Sequence, residues 1–144
     1  MNRKVLVIIV VVSFIAIFVM SGFRQSEFKK PDVVYHVILA NSGLYKGGIY
    51  ADTFAIKKGK YLFNFIPNGD SPKTLSITLT GSSFSFLEDY ELEGIPHETG
   101  ISVYYTWDYK GKKQFEIPYD QDLKITVNPH NDIQGSISFD IIGK

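Results

Sequence analysis

The chain predicts an all-β domain, an antiparallel β-sandwich of jelly-roll or immunoglobulin-like type, preceded by one N-terminal hydrophobic helix. Three observations predict it. Apolar residues recur at every second position in about nine short segments after Pro31, the period of a strand with one buried face. All six prolines lie between those segments, where no sheet ladder needs an N–H. No stretch after Pro31 holds a helical period, so there are no crossover helices and the sheets must be antiparallel.

The N-terminal helix comes first in the chain. Arg3 and Lys4 precede a run, residues 5–23, that carries no charge. As a helix it spans about 28 Å at 1.5 Å per residue, close to the hydrocarbon thickness of a bilayer. In lipid the backbone must satisfy its own hydrogen bonds, which makes the run helical despite its many β-branched residues. Residues 1–24 therefore read as a signal anchor or a signal peptide, the partner of residues 5–23 being the membrane. The length favours retention, while Val19-Met20-Ser21 offers a small-x-small cleavage site. A short basic start stays in the cytoplasm, which places the domain outside it, membrane-anchored or secreted. Residues 25–32 are polar and charged and read as a tether.

Residues 33–144 form the sandwich domain. Val33–Leu39 is the first strand. Tyr50–Ile56 and Lys60–Ile66 flank Lys57-Lys58-Gly59 and read as a hairpin. Thr74–Thr80 sets Leu75, Ile77 and Leu79 against Ser76, Thr78 and Thr80. Ser83–Leu87 is short, and Glu88 to Gly100 reads as a long acidic connection. Ile101–Tyr109 places Ile101, Val103, Tyr105 and Trp107 on one side. That face belongs against the second sheet, with Trp107 in the core and Tyr104 opposite, beside Ser102 and Thr106. Lys113–Ile117, Asp122–Asn128 and Gly135–Ile142 complete the set.

Composition excludes several functions. There is no cysteine, hence no disulfide scaffold, thiolate metal site or cysteine nucleophile. From Pro31 onward there are 10 Lys, no Arg and 14 acids, so the domain repels polyanions and no nucleic-acid partner is expected. His36, His97 and His130 stand apart without metal-ligand spacing, and no nucleophile elbow, phosphate loop or dinucleotide fingerprint occurs. The domain is expected to be non-enzymatic, without a cofactor.

Two sets of candidate binding residues remain. Tyr104, Tyr90 and Tyr119 are aromatics available to stack on a sugar ring or anchor a protein partner. Asp120 and Asp122, with Asn131 and Asp132, supply loop oxygens of the kind calcium takes, though without an EF-hand pattern. The expected role is an accessory, structural or binding subunit at the cell envelope. The alternative is a carbohydrate- or calcium-binding domain.

Phe54, the run Lys60-Tyr61-Leu62-Phe63-Asn64-Phe65, then Pro67-Asn68-Gly69-Asp70 and Leu75–Leu79 resemble the opening strands of GOLD-type, p24-like lumenal domains. They are also similar to small exported sandwich proteins of ammonia-oxidising archaea. The likeness covers roughly residues 50–142 and implies a lumenal or exported sandwich. It departs from the p24 family in lacking the cysteine pair and a C-terminal membrane helix, and no binding residues carry over from it.

Overall fold

In a computed structural model that describes residues 30–144, alternating apolar residues build nine strands. They are β1 (Asp32–Leu39), β2 (Tyr50–Ile56), β3 (Gly59–Ile66), β4 (Thr74–Thr80), β5 (Ser85–Glu98), β6 (Val103–Lys110), β7 (Gln114–Ile117), β8 (Gln121–Asn128) and β9 (Ile137–Gly143). The expected hydrophobic helix lies outside the described residues. Among those described, no helix is long and apolar enough to cross a membrane.

The strands form two antiparallel sheets, one ordered β1-β9-β3-β7 and the other β2-β8-β4-β5-β6. Both send every second side chain into one core. Tyr35, Val37 and Leu39 of β1, Phe63 and Phe65 of β3, and Phe139 and Ile141 of β9 are buried from one side. Leu75, Ile77 and Leu79 of β4 and Leu123, Ile125 and Val127 of β8 are buried from the other. Each such side chain contributes about 1.5–3 kcal/mol by leaving water.

Two expectations about connectivity are corrected. Lys57-Lys58-Gly59 closes no hairpin: β2 pairs with β8 and β3 with β7 and β9, so this turn carries the chain from one sheet to the other. The stretch from Glu88 to Gly100 is mostly strand, not loop. Only its first part, to Glu91, pairs with β4; Glu91 to Glu98 pairs with β6 instead. Pro96 thus sits inside a strand, opposite Tyr105, on the stretch that has no β4 beside it.

Three core tyrosines satisfy their hydroxyls by donating to fixed acceptors: Tyr90 to the Lys112 carbonyl (2.8 Å), Tyr109 to the Pro72 carbonyl (2.6 Å) and Tyr35 to the Asp52 carboxylate (3.1 Å). Burial, above all, pushes all three well above the ordinary tyrosine pKa. A pKa raised by folding contributes stability that is complete below the unfolded value, about 10. That stability is lost as pH rises from there toward the folded values. Absorbance at 295 nm and circular dichroism recorded together should therefore show an alkaline step in which these tyrosines ionise only as the sheet signal collapses. Full tyrosine ionisation with the sheet signal intact would refute it.

Candidate functional site: an unpaired β-ribbon

The second half of β5 and all of β6 leave the sandwich as a two-stranded ribbon. Their register runs from Glu91 opposite Lys110 to Glu98 opposite Val103. A tight turn closes it, with the Thr99 amide donating to the Ser102 carbonyl at 2.9 Å. Gly100, first of the two central residues, has φ 86°, while Ile101 keeps a negative φ. That is the type II′ arrangement, whose twist matches paired strands and which a residue with Cβ would strain at the first position.

At its base the ribbon is part of the core: Tyr109 is fully buried, its ring 5.2 Å from Phe65. Farther out, no described strand stands opposite the same face. Leu92, Gly94, Pro96 and Glu98 share that face with Val103, Tyr105 and Trp107. The expectation that Trp107 lies in the core is corrected. Its indole lies over two glycines, where a Cβ at Gly94 or Gly69 would come within 3.0 and 3.5 Å of its ring, and 37 % of the residue stays exposed. Parity put it on the core side, but the strand has already passed the end of the second sheet. Tyr105 is 55 % exposed, with its ring centroid 6.2 Å from that of Trp107, and Ile101 at the tip is 99 % exposed. The reverse face carries Ile95, Thr106 and Tyr104. The Tyr104 ring stacks on His97 at 4.9 Å, and His97 Nε2 bonds the Thr106 hydroxyl at 2.8 Å.

The predicted aromatic set does not converge. Tyr104 is on the ribbon, half-exposed. Tyr90 was expected in a loop; it lies in β5 with its ring buried among Phe63 and Phe65. Tyr119 is exposed in the β7–β8 connection, at the other end of the sandwich. The calcium candidates also separate. Asp120 and Asp122 stand at the start of β8 and Asn131 and Asp132 beyond its end, about 20 Å apart along the strand. Asp120 already accepts the Lys58 amide (2.8 Å) and Asp132 the Gly135 amide (3.1 Å). Among the described residues no group of three or more acids and histidines could hold a metal ion.

One cluster was invisible in the sequence. Ser76 of β4 donates its hydroxyl to Asp89 of β5 and meets His130 Nε2 at 2.7 Å, beside an open groove of about 630 Å³. His130 and Asn131 both have positive φ, 51° and 75°, in the connection after β8. A hydrolytic serine needs histidine as acceptor of its proton and the carboxylate behind the histidine. Here the single hydroxyl proton goes to Asp89, so His130 must donate, and the three groups tie β4, β5 and the loop together without making a nucleophile.

Ile95 and Ile101 are surface contributors that period-two alternation alone does not mark as exposed. The usable signal was the pair of equal stretches on either side of Gly100. Pro96 and the acidic run hid it.

The chain matches no protein-family model, no curated protein and no solved structure.

Proposed function

We propose that this chain is a non-enzymatic binding or structural subunit of a cell-envelope assembly, held at the membrane through residues 5–23 or exported, and that it docks through the β5–β6 ribbon. The eight strands other than β6 read as a jelly roll, β1-β9-β3-β7 facing β2-β8-β4-β5, with β6 added to form the arm. One observation carries the docking reading: Ile95, Ile101, Val103, Tyr104, Tyr105 and Trp107 are all exposed on one protruding ribbon. Val103, Tyr105 and Trp107 lie on one face of it and Ile95 and Tyr104 on the other, and exposed Tyr and Trp are the composition of a protein-binding hot spot. The ribbon also leaves the sandwich at the finishing end of β3, whereas Asp32, where the tether joins, pairs with Gly143 at its starting end. Asp32 and the ribbon thus lie at opposite ends of the sandwich, which supports attachment at one end and docking at the other.

The test uses the full chain, tagged, in its native membranes, with chemical cross-linking and recovery of partners. Replacing Tyr105 and Trp107 together by Ala should reduce the cross-linked species at least tenfold. Trp107→Ala by itself should cost only about 1 kcal/mol, well short of the 3–5 of a fully buried aromatic, because no second sheet collapses onto it. Unchanged recovery from a folded double variant would sink the reading. A carbohydrate-binding role has one observation in its favour, the neighbouring Tyr105 and Trp107 rings on one face. A glycan array probed with wild type and the same variant separates it from protein docking.

A further inference from the structure

We infer that the ribbon's partner is a second copy of this chain, joined edge to edge through β6 about a two-fold axis; this rests on the ribbon being the docking element. The hydrogen-bond register makes the edge usable. With Thr99 and Ser102 bonded across the turn, the bonded pairs of the ribbon alternate from there: His97 with Tyr104, Ile95 with Thr106, Glu93 with Asp108. The N–H and C=O groups of Val103, Tyr105 and Trp107 therefore point away from β5. No described strand lies on that side, since β6 ends its sheet. Pro96 fits the same register, for it faces Tyr105 in a pair that needs no N–H from it.

The other sheet edges are guarded and this one is not. β1 carries a bulge between Val33 and Tyr35, β2 has Asp52 as its third residue of seven, and β7 is four residues long with Glu116 among them. Such devices keep edges from pairing with another chain. From Val103 to Trp107, β6 has no charge, proline or glycine, and its residues are all β-branched or aromatic.

The edge is also complementary to itself. In an antiparallel pair centred on Tyr105, that residue faces Tyr105 of the second copy, and Val103 faces the other copy's Trp107 in both directions. All three bring outward backbone groups, for about six main-chain hydrogen bonds. Tyr104 faces Thr106 on the reverse side. These are aromatic and β-branched cross-strand pairs of the favourable kind. The charges at the base are accommodated: Asp108 falls opposite Ser102 and Lys110 opposite Gly100, so like charges never meet. Pairing uses up the same edge on both copies and stops at two. A contact confined to one ribbon is at the small end of specific interfaces, so dissociation in the micromolar range is expected.

The chain has no cysteine, so single introduced ones report cleanly. In the full chain, in detergent, Tyr105→Cys should form a disulfide-linked dimer under mild oxidation, because residues facing each other in a bonded pair have Cα atoms about 5.5 Å apart. Thr53→Cys, exposed on the guarded edge β2, should not. Sedimentation velocity should show the wild type passing from monomer to dimer over micromolar concentrations. Tyr105→Pro removes an N–H that β5 does not use, and should sediment as monomer throughout while melting within a few degrees of wild type. Equal cross-linking of both cysteines, a dimeric Tyr105→Pro, or species larger than a dimer would overturn the proposal. A monomeric wild type whose Tyr105 and Trp107 double variant still loses its envelope partner would overturn self-pairing alone and leave ribbon docking standing.

Discussion

Phe63→Ala is expected to lower the unfolding free energy by about 3–5 kcal/mol. The ring stands in the middle of β3, virtually unexposed, with ring centroids of Phe65, Phe86, Tyr90, Phe115 and Phe139 between 5.3 and 6.1 Å away. Those neighbours come from both sheets: β3, β7 and β9 on one side and β5 on the other. Removing the ring forfeits its transfer free energy and leaves a void bounded by stiff rings on strands fixed by their ladders. Such a site cannot collapse, and the cavity cost therefore adds to the transfer cost. Urea unfolding should show the midpoint falling sharply at unchanged slope. A loss below about 1.5 kcal/mol would mean that the two sheets close over the gap.

The second large effect is expected at Gly111, between β6 and β7. Its φ is 149°, and a Cβ there would sit 2.6 Å from Tyr90 Cδ1 and 2.9 Å from Cε1, with the Asp89 carbonyl at 3.2 Å. The Tyr90 ring cannot swing aside, because it is buried and its hydroxyl is tied to Lys112. Gly111→Ala should therefore combine backbone strain with overpacking, about 2–4 kcal/mol in all. A double-mutant cycle distinguishes the two contributions. With Tyr90→Ala already in place the overlap is gone, so adding Gly111→Ala should cost clearly less than it does alone. Strict additivity would show that only the backbone angle matters.

These sites show what the sequence could tell. The strands were legible wherever one face met the core, and Thr74–Thr80 and Tyr50–Ile56 are found as their alternation predicts. Which sheet a strand joins was not legible, because period two records a buried face and not the strand beside it. Lys57-Lys58-Gly59 looked like a hairpin turn for that reason. Trp107 shows the same gap: its side of the strand follows from parity, but whether anything covers that side depends on where the opposite sheet stops. Tyr90 was misplaced by its acidic neighbours, whose side chains point outward from a strand as readily as from a loop. The Ser76, Asp89 and His130 contact joins residues up to 54 positions apart and left no local trace.

The opposed placement of Asp32 and the ribbon bears on adhesion. Under the proposed antiparallel pairing the two copies point in opposite directions, which sets their Asp32 residues at opposite ends of the pair. Copies fixed through residue 31 to one flat support can meet only by lying down, whereas copies on facing supports meet head on. Microspheres coated with the domain through that residue are accordingly expected to clump, and a Tyr105→Pro coating to leave them dispersed. Under the proposed pairing the ribbon from Glu91 to Lys110 lies between the two sandwiches, so lengthening it should widen the gap between the coated surfaces.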